Sequence, residues 1–166
     1  YLVELQNNLI GGINNGLINV PINLMMQYSK KSILNNEAVW CGLDWDKFRS
    51  QNEGFLDQSG FNYNDIFTNN NNMEKCDSLK YRQSYPSHAV ILRGFNDKKY
   101  SGFLVENSHG DNKDGFHENY YMSEEWFNSY VYMIVIDKKI VNKKILNIIN
   151  TKPIILPYWS AFGNLL

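Results

Sequence analysis

Cysteine is nearly missing from this chain: Cys41 and Cys76 are the only two among 166 residues. Their surroundings differ, a disulfide framework would normally use more of them, and no pair has zinc-ligand spacing. Disulfide stapling is set aside and a reducing compartment expected. An excess of charge of one sign is missing too, since 16 Lys and Arg oppose 17 Asp and Glu for a net charge of -1. That balance gives no electrostatic reason for nucleic acid or an anionic membrane as partner of the whole domain, and it favours a small-molecule or peptide ligand. No apolar stretch approaches the roughly 20 residues that span a bilayer, and no basic, apolar leader precedes the first segment, so the expectation is a soluble, unexported, cytoplasmic protein. An initiator methionine is also missing. The chain opens YLVELQNN on Tyr1, directly in an apolar run, and is expected to be the latter portion of something longer.

What is present suits one sizeable core: 43% of the residues are hydrophobic and 14% aromatic, so one domain is the prior. Segment 1–20 is apolar but broken by Gly11, Gly12 and Gly16 and rich in asparagine, which suits an irregular linker. Pro21 can open a helix, and Ile22, Met25, Met26, Ser29 and Ile33 recur at spacings of three and four, predicting a helix over about 21–35. EAVWCGLDW predicts a buried strand over 38–43, and the asparagine run at 69–72 marks a long irregular stretch. HAVILRGF and YSGFLVENS, joined by NDKK, form a hairpin signature. FHENYYMS supplies a further short strand. Ser123 followed by Glu124 and Glu125 is a good helix start, predicting a helix over 123–129 before the strand YVYMIVID. Val141, Ile145, Ile148 and Ile149 form a helical stripe, which Pro153 and Pro157 stop, leaving an extended tail. The elements add up to α+β, mostly antiparallel sheet with peripheral helices.

His88 heads one hairpin strand and Asn107 follows the other, so the hairpin brings the two to one edge of the sheet. A neutral imidazole accepts a proton usefully only when its other nitrogen is held by a partner, and an asparagine carbonyl can be that partner. The plainer reading also stands at this point: a polar residue entering a strand and a turn residue leaving one. Spacing permits chemistry without requiring it.

HAVILRGF followed by FLVENSHG resembles the histidine and asparagine blocks of papain-type cysteine peptidases. NEAVWCGLDW, MSEEWFNSYVYMIVIDKK and KPIILPYWSAFGNLL narrow the likeness to the bleomycin hydrolase, or aminopeptidase C, branch of that clan. The resemblance runs from near Tyr1 to Leu166, with the asparagine-rich middle unlike the family. It implies a papain-like fold, mainly the antiparallel, barrel-like sheet half with peripheral helices, carried by residues 1–152, followed by an extended C-terminal arm over 153–166. It assigns His88 as the general base and Asn107 as the residue that orients it, in hydrolysis of N-terminal residues and amide bonds through a thioester. It also implies that the arm returns to the cleft, stiffened by Pro153 and Pro157 and anchored by Trp159 and Phe162. Gly163 would let the chain turn there, and the carboxylate of Leu166 would capture the substrate's free amine. A tail packed on a neighbouring subunit is the alternative.

Two positions depart from the family pattern. His109 stands where the family has a tryptophan that shields the histidine–asparagine hydrogen bond, and an imidazole covers less area. No cysteine fits the nucleophile: Cys41 lies inside a strand and suits a small buried hydrophobe, and Cys76, among polar neighbours, suits a loop thiol. The upstream Cys/Gln segment of the family is absent, so the chain alone is expected to be inert. The implied partners are a peptide or peptide-like substrate, that missing N-terminal half, and copies of itself, a hexamer by resemblance. A catalytically inactive structural subunit of the same fold is the rival. No cofactor is expected. His88, His109 and His117 with Asp111 or Asp114 do not make a convincing metal set. Lys138, Lys139, Lys143 and Lys144 suit a solvated helix face better than a nucleic-acid surface, since no aromatics interleave them.

Overall fold

The computed structural model describes residues 1–4, 16–60, 73–110 and 118–162. The first element, β1 (Leu2–Val3), is two residues long. Pro21, whose ring presets φ, stands immediately before α1 (Ile22–Leu34). Ile22, Met25, Met26 and Ile33 lay one apolar face of this helix on the core. Ser29 and Ser32 are buried along it, and the Ser29 hydroxyl donates back to Met25 O at 3.0 Å, so a polar group meets the core with its bond made. Lys30 ties the helix down by donating to Asp97 and Glu124, each at 2.5 Å.

Alternation then governs the strands. In β2 (Val39–Leu43), Val39, Cys41 and Leu43 are completely buried. The short β3 (Arg49–Ser50) and β4 (Phe55–Leu56) follow, then the helical turn α2 (Lys75–Lys80). The predicted hairpin is β5 (His88–Asn96) and β6 (Gly102–Glu106), antiparallel, with a register shift between Leu92 and Gly94. β7 (Asn119–Ser123) passes straight into α3 (Glu124–Tyr130), where the Ser123 hydroxyl caps the helix by accepting from Trp126 N. β8 (Val131–Val135) is the predicted YVYMIVID strand. Among the described residues one seven-stranded sheet runs β3-β4-β7-β6-β5-β2-β8, antiparallel except for β4 beside β7. Phe103 of β6 stacks on Phe127 of α3 at 5.0 Å between ring centroids, and the Trp126 indole donates to Lys47 O at 2.7 Å. Sheet and helix thereby share one core. The expected α+β class with a mainly antiparallel sheet is what the chain adopts.

Three expectations change. The stripe from Val141 to Ile149 is not one helix. Val141 closes a 3-10 turn (Lys138–Ile140) capped by Asp137, and Asn142 caps a new start for the single turn α4 (Lys143–Leu146), which runs on into a second 3-10 turn (Asn147–Asn150). The four lysines therefore sit on two short exposed elements rather than one helix face, with Lys139 paired to Glu37 and Asp137. Cys76 lies on α2 rather than in a loop. The tail and the first residues are joined: β9 (Ile155–Leu156) pairs in parallel with β1. Residues 69–72, the metal candidates Asp111, Asp114 and His117, and Gly163 to Leu166 lie outside the described residues. Among the described residues no helix is long and apolar enough to cross a membrane.

Lys75 explains why α2 docks. Its ammonium donates to Asn128 O at 3.0 Å and to Val131 O, and stands 4.8 Å from the Tyr132 ring centroid. Burial pulls its pKa from 10.5 down to about 8. Between those values the folded chain binds fewer protons than the unfolded one, so this group alone makes stability rise with pH, by about 1.4 kcal/mol per pH unit within the window. Cys41 opposes it at the alkaline end, because burial holds that thiol protonated well above the usual range. The prediction is therefore a difference. Urea melts from pH 7.5 to 10 should show a rise in the wild type, relative to Lys75→Met, beginning near pH 8. Parallel profiles would refute it.

Candidate active site

The site is built by strand ends. His88 is the first residue of β5 and lies opposite Leu43, the last of β2. Asn107 follows the last residue of β6, where its own N–H donates to Glu118 O at 2.7 Å and fixes the backbone. The hairpin thus brings the two side chains together, His88 Nε2 to Asn107 Oδ1 at 2.8 Å. An amide oxygen only accepts, so Nε2 carries the hydrogen and Nδ1 is left with its lone pair. That is the state a general base requires. Asn107 is buried, 3% exposed, and its Nδ2 has no hydrogen-bond partner among the described residues.

The walls are aromatic. The Trp45 ring lies 5.2 Å from the His88 ring at 53°, and is itself held edge-on by Tyr120 at 4.9 Å. The Arg49 guanidinium stands 5.1 Å from the Trp45 ring. His109 packs on His88 with ring centroids 5.0 Å apart and the planes tilted by 34°. The sequence expectation that His109 would neighbour the pair is met in the geometry, with a smaller ring than tryptophan would offer. A cleft of about 360 Å³, lined by Trp40, Ala89, Ile91, Glu106 and Asn107 among others, opens on the outward side of β2 and β5.

Neither cysteine joins this arrangement. Cys41 is fully buried on the core side of β2, opposite Val90. The groups in ring or hydrogen-bond contact with His88, among the described residues, are Trp45, Asn107 and His109. No group of three or more His, Cys, Asp or Glu that could hold a metal occurs among the described residues. Leu166, the remaining sequence candidate, lies outside them.

Sequence reasoning missed Asp44, Trp45 and the lead-in Ser84–Ser87. Asp44 is the one buried carboxylate among the described residues. The signal available was the Asp-Trp pair directly after the strand predicted over 38–43, but only the register of that strand against the histidine strand shows its use.

Comparison with known proteins adds the following. The model of the Peptidase C1-like family matches residues 1–163. Human bleomycin hydrolase is 33% identical over 172 residues, covering 99% of this chain and 37% of that protein. Aminopeptidase E of Lactobacillus helveticus is 33% identical, with 98% of this chain and 37% of the relative covered, and aminopeptidase C of Listeria monocytogenes is 28% identical over 99% and 38%. In structure, PepW from Lactobacillus rhamnosis superposes with a TM-score of 0.89 at 31% identity, covering 98% of this chain and 37% of that one. The chain thus spans under two-fifths of the length of these relatives.

Proposed function

This chain belongs to the Peptidase C1-like family, and from that we propose that it is the histidine- and asparagine-bearing part of a papain-like cysteine aminopeptidase. His88 Nδ1 takes the proton of a cysteine thiol, and the thiolate attacks the scissile carbonyl carbon. The imidazolium then returns that proton to the departing amine, leaving a thioester. Water, deprotonated by the same Nδ1, attacks the thioester, and the thiol is released with its proton restored. Asn107 keeps Nε2 protonated throughout, so that Nδ1 faces the reaction at every step. The observation that carries this reading is the His88 Nε2–Asn107 Oδ1 contact of 2.8 Å, in a chain whose relatives are bleomycin hydrolases and aminopeptidases.

The nucleophile in this reading comes from a segment outside these 166 residues. Cys41 is fully buried, and burial pushes its thiol pKa up, the opposite of what a nucleophile needs. The same reading makes the carboxylate at Leu166 the partner of the substrate's free amine, and makes the assembly homo-oligomeric and cytoplasmic. The second reading, an inactive structural subunit, draws on two features: no cysteine contacts His88 among the described residues, and His109 stands in the shielding position.

The deciding experiment is intact-mass measurement on the native protein before and after a thiol-directed epoxide. One adduct, on a cysteine outside Tyr1–Leu166 in the same chain or a bound partner, is the expected result. A native species of 166 residues that takes up no adduct would sink the peptidase reading in favour of the structural one.

A further inference from the structure

A carboxylate withdrawn from water is costly unless its hydrogen bonds are supplied. Asp44 is 3% exposed, and its bonds go to the segment that delivers His88. The Ser84 hydroxyl donates to Asp44 Oδ2 at 2.7 Å and Tyr85 N donates to the same oxygen at 3.3 Å. Two more bonds tie the same two segments together, Ser87 N to Leu43 O at 2.9 Å and Trp45 N to Ser87 Oγ at 3.1 Å. Residues 84–87 have no regular structure of their own, so these four contacts with residues 43–45 set their course into β5. Pro86 is fully buried among them.

The arrangement is directional. Tyr132 donates its hydroxyl to Ser84 Oγ at 2.6 Å, and Ser84 donates onward to Asp44. A chain of donors ending on a charge polarises along its length, and each bond stiffens the next. The backbone N–H of Asp44 donates to Tyr130 O at 3.0 Å, which anchors the carboxylate at the start of β8. The next residue, Trp45, supplies the ring against which His88 packs. One carboxylate therefore fixes both the strand that carries the imidazole and the wall that limits its rotation.

We propose that Asp44 is the positioning residue of the His88–Asn107 pair: through Ser84 and Tyr85 it sets the height and rotation at which His88 meets Asn107. This rests on the reading of His88 as general base. A base displaced by about 1 Å forfeits on the order of 100-fold in rate, so the residue matters to chemistry it does not touch.

The test reads the ring directly. The full 166-residue chain has three histidines, so ring 15N spectra of histidine-labelled protein are sparse, and His88→Gln assigns the His88 signals. The unaltered chain should show a protonated Nε2 and an unprotonated Nδ1 under mildly alkaline conditions. Asp44→Asn keeps an acceptor oxygen for Ser84 and Tyr85 and should retain that single tautomer, whereas Asp44→Ala and the milder Ser84→Ala should give averaged tautomers. Where Asp44→Ala does not fold, Ser84→Ala decides. In the native protein Ser84→Ala should lower kcat by about 10-fold or more with KM changed less than about 2-fold, because binding is spared.

Variants that melt cooperatively yet leave the His88 signals unmoved overturn the role of Asp44 alone, with epoxide uptake intact. An unaltered chain whose tautomers are already averaged overturns it at once, since no held ring is there to position. Native protein that takes no epoxide while the variants behave as expected sinks the peptidase reading and leaves the positioning role standing.

Discussion

His88→Gln is expected, under the proposed peptidase function, to lower kcat of the native protein by about 10⁶-fold while leaving the melting temperature nearly unchanged. The size follows from the two duties of one nitrogen. Without Nδ1 the thiol keeps its proton in the attack, and the departing amine has no acid to protonate it. Groups that act as a unit fail as a unit, which is why losing one member costs about as much as losing all. The small stability effect follows from position. His88 is only partly buried at the mouth of β5, glutamine fills much of the same space, and its amide can still donate to Asn107 Oδ1. Steady-state turnover of an aminoacyl substrate beside a thermal melt checks both halves. Turnover within about tenfold of the wild type would remove His88 from the chemistry, because a general base contributes at least 10².

How much of this could be read from the sequence depends on how local each cause is. Ser123 caps α3 through its own third neighbour, and NDKK turns the hairpin with its own residues, so both were legible. The His88–Asn107 pair was legible for the same reason, since a hairpin is the shortest way to bring two strand ends together. α2 was not. KCDSLK lays no apolar face on the core, and it is held by the ammonium of Lys75 reaching carbonyls of α3 and β8, a cause lying more than 50 positions away. The β1–β9 pairing joins the two ends of the described chain through two residues on each strand, which no periodicity can announce. Asp44 failed differently. A single acid after a strand reads as a solvated end, and its burial becomes visible only once β2, β5 and β8 lie side by side in register. The stripe from Val141 to Ile149 read as a helix because spacing alone was weighed, while the side chain of Asn142 caps a new start after Val141, which itself closes the turn capped by Asp137.

Gly102→Ala is expected to cost about 3 kcal/mol, the upper end of the usual range for overpacking, and to lower the melting temperature by about 6–12 °C for a chain of this size. Gly102 opens β6 between Asn96 of β5 and Ser123 of β7. A Cβ added there would come within 2.2 Å of Met122 O and 2.7 Å of the Tyr121 hydroxyl. Neither neighbour can give way cheaply. The first is ladder backbone, and the second is held where it stands by its donation to Ser101 O at 2.9 Å. Relief must come from parting β6 and β7, which breaks the sheet between the hairpin and α3. Gly94, in the same hairpin, is the control: its added Cβ would meet Leu104 Cβ at 3.4 Å, an ordinary contact. Gly94→Ala should therefore change stability by less than about 1 kcal/mol, with a small gain available from stiffening the unfolded chain. The functional consequence follows from register. Asn107 is delivered by β6, and a slip of one residue turns every side chain of that strand to the opposite face. Gly102→Ala protein that remains folded should then lose the His88–Asn107 contact and, under the proposed function, turnover, whereas Gly94→Ala should keep both. Equal melting temperatures for the two variants would show that β6 and β7 accommodate the methyl group without parting.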